Sequence, residues 1–228
     1  MKYQILYPGA FAALEVSLER GESIKAESDA MVSMDGTVDV EGTLDGGVLG
    51  GIKRALAGEK FFLQTLTAKR GPGKALLAPS KPGDVLDVEL DGSYSLLVQK
   101  DGFLAGSPSL EIGTKMQNLV QGFLSGEGFF VLKIAGKGNL FLSSYGSIHA
   151  VNVPDGEELV VDNNHLVAWP DYMHFEITKA SSGWISSLTS GEALVCRFRG
   201  PGPVLIQTRN PKGFASWLQA LLPSSRGN

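Results

Sequence analysis

Hydrophobic and polar side chains alternate over three stretches of the chain, and these stretches align with one another without a gap. The aligned stretches are residues 14–33, 86–105 and 149–168. A valine recurs at the same place in all three, as Val16, Val88 and Val151. Alternation with a period of two residues is typical of β-strands that bury one face. The pattern therefore predicts an all-β unit that occurs three times in the chain.

A short polar segment lies at the centre of each aligned stretch. The equivalent segments are Asp29-Ala30, Asp101-Gly102 and Asn164-His165. Asp, Asn and Gly between two alternating apolar runs favour a tight turn. We expect a β-hairpin at each of these three places.

A second block of sequence repeats in the same order as the first. Each copy has a short apolar stripe with helical spacing, which is followed by a Gly-Glu pair. The three pairs are Gly58-Glu59, Gly126-Glu127 and Gly191-Glu192. An apolar run, a Gly-x-Gly turn at 71–73, 136–138 or 200–202, and a second apolar run come next. The block predicts a short helix that ends at the glycine, and then two strands joined at the Gly-x-Gly turn.

The two blocks give the same period. Their first and third copies lie 135 residues apart in one block and 133 in the other, so the period is about 67 residues. This period divides the chain into three pseudo-symmetric repeats, at about 1–82, 83–146 and 147–210. We expect a single domain, because one repeat alone is too small to bury its apolar face.

A segment outside the repeats, residues 211–223, has the pattern of an amphipathic helix that begins at Pro211 and ends at Pro223. Its apolar stripe consists of Phe214, Trp217, Leu218 and Leu221. Two interpretations remain open, because the stripe either packs on the chain's own strands or reaches a second subunit. Together with the open strand edges of a β-rich body, the stripe leads us to expect a homo-oligomer, a trimer or a dimer.

Composition and charge exclude several classes of protein. The chain has 29 Gly and 11 Pro, and only 19 % of its residues are charged, which is untypical of a coiled coil or a disordered chain. The formal net charge of −4 has the wrong sign for a protein that binds phosphate backbones. Basic residues are scattered singly except for the pairs Lys53-Arg54 and Lys69-Arg70. We therefore expect no nucleic-acid partner.

The sequence favours a cytoplasmic location. Its single cysteine, Cys196, cannot form an internal disulfide, so nothing indicates an oxidising compartment. The first residues lack the long apolar core of a signal peptide. The longest uncharged stretch, residues 138–154, is rich in Ser, Asn and Gly, so we expect no stable membrane insertion.

The groups that carry chemistry have simpler structural explanations. His149, His165 and His174 fall on a leucine position of the other repeats, on a turn and on a solvated strand face, so they do not predict a shared metal site. Cys196 aligns with apolar residues of the other repeats, which indicates a buried side chain rather than a nucleophile. We expect Cys196 and His149 to be buried, and we expect no catalytic residue, no cofactor and no metal.

The glycine-rich run at 42–51 leaves two interpretations open. It is either an anion-binding loop at a helix N-terminus or a flexible connection into a short helix. A phosphate-binding loop of the Walker type requires Gly-Lys-Ser/Thr, whereas Ile52-Lys53-Arg54 follows the glycines here. The flexible connection is the simpler explanation.

The run from Gly46 to Phe62 reads GGVLGGIKRALAGEKFF. Related segments are residues 126–130, the pair Leu104-Ala105 and the pair Val167-Ala168. These segments resemble the altered-inheritance-of-mitochondria family over nearly the whole chain. The resemblance implies a double-stranded β-helix, likened to the tryptophan RNA-binding attenuator protein, and it brings no active-site residues with it.

From these observations we expect a non-catalytic interaction or scaffold protein, whose rigid β body presents surfaces to unidentified protein partners. The alternative is a binding module for a small molecule or a sugar, with its site in a crevice between repeats. An enzyme ranks third, because the sequence shows no arrangement of groups that resembles a catalytic site.

Overall fold

The structure is a computed structural model that describes residues 1–43, 63–116, 130–179 and 194–222. In this part of the chain, antiparallel strands form four sheets and one α-helix follows the last strand. The all-β prediction is confirmed. The helices expected before each Gly-Glu pair, and the glycine run beyond residue 43, lie outside the described residues.

The same succession of six strands occurs three times. The first repeat contains β2 (Ala13–Leu18), β3 (Ser23–Glu27), β4 (Met31–Met34), β5 (Asp39–Thr43), β6 (Leu63–Thr67) and β7 (Gly73–Leu77). The second contains β8 (Val85–Asp91), β9 (Leu96–Gln99), β10 (Phe103–Gly106), β11 (Glu111–Met116), β12 (Phe130–Ala135) and β13 (Lys137–Ser143). The third contains β14 (Ile148–Val153), β15 (Glu158–Asp162), β16 (Leu166–Pro170), β17 (His174–Lys179), β18 (Leu194–Arg199) and β19 (Gly202–Gln207). A further strand, β1 (Lys2–Leu6), precedes the first repeat, and α1 (Pro211–Leu221) follows the third.

Strand pairing follows one rule in every repeat. The first, sixth and third strands form one triplet, and the fourth, fifth and second strands form another. The triplets of neighbouring repeats join because a second strand pairs with the third strand of the next repeat, as β3 does with β10 and β9 with β16. Sheets 1 to 4 therefore have the strand orders β1-β2-β7-β4, β5-β6-β3-β10-β13-β8, β11-β12-β9-β16-β19-β14 and β15-β18-β17.

The turns that the sequence suggests as hairpins connect strands of different sheets, so this expectation is wrong. β3 lies in sheet 2 and β4 in sheet 1. In the other two repeats a 3-10 turn, Lys100–Gly102 or Asn163–His165, makes the same crossing between sheets. The polar residues indicate a turn, but the strands on its two sides find their partners elsewhere in the chain.

The Gly-x-Gly turns lie where the pattern predicts them. They join β6 to β7, β12 to β13 and β18 to β19. In the turn of the second repeat Gly136 has a φ of 102°, a conformation that side chains with a Cβ rarely adopt. Glycine at this position allows a one-residue turn between β12 in sheet 3 and β13 in sheet 2.

Consecutive sheets enclose three clusters of buried apolar side chains. The cluster of sheets 1 and 2 contains Leu14 and Ile24, that of sheets 2 and 3 contains Phe103 and Leu132, and that of sheets 3 and 4 contains Trp169 and Phe198. Sheets 2 and 3 each serve two clusters. On β10, for example, Phe103 belongs to the middle cluster whereas Leu104 belongs to the first.

The backbone at the start of the second repeat lies against the starts of the first and the third repeat. The amide of Ala12 donates to the Gly83 carbonyl at 2.9 Å, and the amide of Asp84 donates to the Gly146 carbonyl at 3.0 Å. A Cβ atom on Gly83 would lie 1.7 Å from the carbonyl oxygen of Ser144. Only glycine therefore fits at the start of the second repeat.

Candidate interaction surface

The C-terminal helix has a defined beginning. The side chain of Asn210 caps it by accepting a hydrogen bond from the amide of Gly213 at 3.0 Å, and Pro211 occupies its first turn, where the missing N–H costs nothing. The helix ends at Leu221, and Pro223 lies outside the described residues.

The apolar stripe of this helix faces solvent. Its members Phe214, Trp217, Leu218 and Leu221 are all exposed, and Trp217 keeps 58 % of its accessible surface. The stripe is therefore not buried against the chain's own strands, which was one of the two interpretations of the sequence. An unburied row of large apolar side chains on one helix is typical of an interaction surface.

A contact between two aromatic rings holds the helix against the β body. The ring of Phe214 lies 5.8 Å from the ring of Tyr145, in the segment after β13, and 5.7 Å from the ring of Trp217. These centroid distances fall in the range of favourable aromatic pairs. The contact holds the first turn of the helix while the rest of the stripe stays accessible.

A second exposed apolar surface lies on β4, and the sequence analysis does not single it out. Met31, Val32 and Met34 are exposed along this strand, which is the last strand of sheet 1. The residues equivalent to Val32 are the buried Leu104 and Val167. The signal was present in the alignment, because Val32 belongs to the first of the three repeats, and among the described residues no strand of another repeat covers β4.

The described basic pair is neutralised by neighbouring carboxylates. The Lys69 ammonium donates to the Glu41 carboxylate, and this hydrogen bond raises the pKa of Lys69. The Arg70 guanidinium lies 2.6 Å from the carboxylate of Asp39. The other basic pair, 53–54, lies outside the described residues. Paired in this way, the cations of the segment after β6 do not form a free positive surface.

The three histidines are placed separately. His165 lies in a turn, with Nδ1 2.7 Å from the carbonyl oxygen of Gln207. His174 is exposed beside Glu176, with Nε2 3.1 Å from the carboxylate. Among the described residues no group of three or more His, Cys, Asp or Glu side chains is arranged to hold a metal ion.

His149 is exposed, so the expectation that it is buried is wrong. The aligned Leu14 is buried because β2 lies between β1 and β7, with Ile5 of β1 directly opposite Leu14. β14 pairs only with β19 and forms the edge of sheet 3. The same position in the repeat is therefore covered in the first copy and open in the third.

Cys196 is fully buried, as predicted. It lies on β18 opposite Val161 and Ile177, within the cluster of sheets 3 and 4. Burial raises the pKa of its thiol to about 12, because the charged thiolate is poorly solvated there. A buried thiol that forms so little thiolate at neutral pH is a poor nucleophile.

No helix in the described part of the chain is long and apolar enough to span a membrane.

Comparison with known proteins identifies relatives in bacteria and fungi. An uncharacterised protein of Streptococcus pyogenes serotype M6 is 31% identical over 233 residues, covering 99% of this chain and 92% of the relative. The altered inheritance of mitochondria protein 24, mitochondrial, of Aspergillus flavus is 24% identical over 89% of this chain. The match spans 60% of the length of the fungal protein.

The fold also matches a solved structure. The crystal structure of a Streptococcus pyogenes protein superposes with a TM-score of 0.80 at 31% sequence identity, covering 97% of this chain and 99% of that one. The model of the family described as mitochondrial biogenesis AIM24 matches residues 3–209. With nearly all of its three repeats inside that match, the chain belongs to the AIM24 family.

Proposed function

We propose that this chain is a non-catalytic interaction protein, and that it assembles with a second copy of itself through the stripe of its C-terminal helix. The observation that carries the proposal is the exposure of Phe214, Trp217, Leu218 and Leu221 on one face of a capped helix. Burying one such side chain is worth about 1.5–3 kcal/mol. Four of them therefore supply a sizeable driving force for association.

The chemistry of the helix supports a contact between two identical copies. A two-fold contact brings the same residues of both copies together, so like charges on the contact face repel each other. The stripe carries no charge, and the single charged residue of the helix, Lys212, lies on the opposite face. Trp and Phe are also frequent anchors of protein interfaces.

The described chemical groups support a role without catalysis. The thiol of Cys196 is buried and protonated, and His165 and His174 each have a separate local partner. The net charge of −4 supports partners other than nucleic acid. A cytoplasmic location and a scaffold role for further protein partners belong to the same proposal.

Light scattering on the intact protein, at concentrations on the order of tens of micromolar, tests the proposal. We expect the intact protein to be oligomeric, and we expect a Trp217→Ala, Leu221→Ala double variant to have a lower mass at the same concentration. The matched control is a Ser216→Ala, Gln219→Ala double variant, which changes the polar face of the same helix and is expected to keep the mass of the intact protein.

Two outcomes contradict the proposal. One is an intact protein that is monomeric at these concentrations. The other is a Trp217→Ala, Leu221→Ala variant that keeps its mass but melts at a lower temperature, because the stripe then acts only within its own chain.

A further inference from the structure

Two strands lack the partner from a neighbouring repeat that their equivalents in the other repeats possess. β10 and β16, the third strands of the second and third repeats, pair with β3 and β9 of the preceding repeat. β4, the third strand of the first repeat, pairs only with β7, and β15, the second strand of the third repeat, pairs only with β18. The succession of junctions therefore has two open ends within the described residues.

The side chains of β4 resemble those of β10 and β16, the strands that pair with the preceding repeat. In the pairing with the sixth strand of each repeat, Met31 occupies the same position as Phe103 and Leu166. Val32 is therefore equivalent to Leu104 and Val167. Leu104 and Val167 are 0% and 1% exposed, because they enter the buried cluster of the preceding repeat. Val32, which no described strand of another repeat covers, is 58% exposed.

Side chains at the open edge of β15 are less buried than their equivalents in the other repeats. Leu159 is only partly buried, whereas its equivalents Ile24 and Leu96 are buried. Its neighbour Val160 is also partly exposed, whereas the equivalent Leu97 is buried. The cluster of sheets 3 and 4 therefore lacks the covering strand that the other two clusters receive from the next repeat.

We infer that β15 of one copy pairs antiparallel with β4 of a second copy. The two junctions inside the chain set the register, since Lys25 lies opposite Gly106 and Leu97 opposite Trp169. The same register places Val160 opposite Met34 of the partner subunit, and Val161 opposite Ser33 of the partner subunit. Val32 of the partner subunit then enters the cluster of sheets 3 and 4.

Continuity with the internal junctions identifies the occupant as a second copy. No described strand pairs with the outer edge of β5, β11 or β17, and because all three repeats share this feature, it is a property of the repeat itself. Among the described residues, the open edges of β4 and β15 are particular to the first and the third repeat. A second copy supplies the strand that each edge lacks, and the contact is head-to-tail, because two different surfaces meet.

This junction goes beyond the proposed function, since it uses neither the helix nor its stripe. Disulfide cross-linking between two variants with one added cysteine each, Val160→Cys and Met34→Cys, tests it directly. Residues opposite each other in antiparallel strands have Cα atoms about 4.5–5.5 Å apart, which suits a disulfide. The native Cys196 is buried and does not compete.

We expect a covalent dimer when the two variants are co-expressed and oxidised, and no covalent dimer from either variant alone. The matched control combines Val160→Cys with Val40→Cys. Val40 is exposed on β5, and no described strand pairs with the outer edge of β5 or of its equivalents in the other two repeats. No cross-link in the Val160→Cys and Met34→Cys mixture overturns the inference, and so does equal cross-linking in the control. A variant that carries both cysteines in one chain and forms only an intramolecular disulfide overturns it as well, since β15 and β4 of the same chain then pair with each other.

A second variant separates this junction from the helix contact. Val32→Lys places a charge at the junction while leaving the fold intact, because Val32 is exposed in the single chain. We expect it to reduce the yield of the Val160–Met34 cross-link by about tenfold, whereas Val40→Lys leaves the yield unchanged. The Trp217→Ala, Leu221→Ala variant is expected to keep the cross-link, so failure of the helix contact and failure of this junction are distinguishable. An unchanged yield in Val32→Lys contradicts the inference.

Discussion

β4 and β16 occupy the same place in their repeats and have opposite environments. Both pair with the sixth strand of their own repeat. All five residues of β16 are buried, whereas all four residues of β4 are exposed. The difference lies in the neighbour, because β16 also pairs with β9 of the preceding repeat. Burial in this fold is therefore decided by the repeat next to a strand as much as by the strand's own apolar residues.

The largest expected effect comes from removing one equivalent side chain on each of these two strands. Trp169 of β16 is fully buried with its ring 4.8 Å from Phe175 and 5.5 Å from Phe198, and Met34 holds the same place on β4. We expect Trp169→Ala to lower the free energy of unfolding by about 3–5 kcal/mol, because it leaves a cavity. Met34→Ala is expected to change it by less than about 0.5 kcal/mol.

Chemical denaturation of both variants measures this difference. The measurement belongs at a concentration where light scattering shows a monomer, so that association does not contribute to the free energy of unfolding. Equal losses in Trp169→Ala and Met34→Ala contradict the distinction between covered and open third strands.

A somewhat smaller effect is expected two positions earlier in the repeat. Leu104→Ala removes a side chain that β10 inserts into the cluster of the first repeat, and Val32→Ala removes its exposed equivalent. We expect a loss of about 2–5 kcal/mol for Leu104→Ala and nearly none for Val32→Ala in the monomer. The midpoints of denaturant unfolding curves measure these losses, provided that the slopes of the curves are unchanged. A large loss of stability in Val32→Ala contradicts the open edge of β4.

The smallest expected effect sharpens the comparison at the other open end. Cys196 lies on β18, directly beside β15, and the pKa of its thiol is raised from 9.0 to about 12 by burial. The unfolded chain ionises this thiol above pH 9 and the folded chain does not. The stability that the group contributes is therefore complete below pH 9 and is lost as the pH rises towards 12.

The matched variant for this effect is Cys196→Ala, which keeps the lysines and tyrosines that titrate in the same range. Between pH 8 and pH 11, we expect the intact protein to lose roughly 2–3 kcal/mol more stability than this variant. Parallel losses in both proteins indicate that the inner face of β18 is open to water, and rapid thiol labelling of Cys196 at neutral pH leads to the same conclusion.

Short-range information predicts most of the strand succession. Alternation and the Gly-x-Gly turns locate the strands, and the alignment of Ile24 with Leu96 and Leu159 agrees with the structure, since each of the three lies opposite a large apolar residue of the fifth strand. Cys196 is buried as its alignment with apolar residues predicts. These features depend on residues close together in the chain, so a single repeat contains the information.

The features that the sequence does not predict depend on distant partners. The supposed hairpins are crossings between sheets, because the partner of a third strand lies in the preceding repeat. His149 is exposed since no described strand covers β14 on its outer side, whereas β1 covers the equivalent Leu14. For the candidate site, the pattern locates the stripe of the C-terminal helix, but it does not decide whether Trp217 is buried.

The sharing of sheets 2 and 3 between neighbouring clusters has a consequence for how the molecule comes apart. The middle repeat contributes side chains to all three clusters, for example Leu104, Leu132 and Leu97. A structure of this kind opens from its ends, because the loss of a terminal repeat disrupts fewer interfaces than the loss of the central one. The amides of β9, β10, β12 and β13 then exchange their hydrogens with solvent most slowly, and the first and third repeats act as the fraying ends of one cooperative unit.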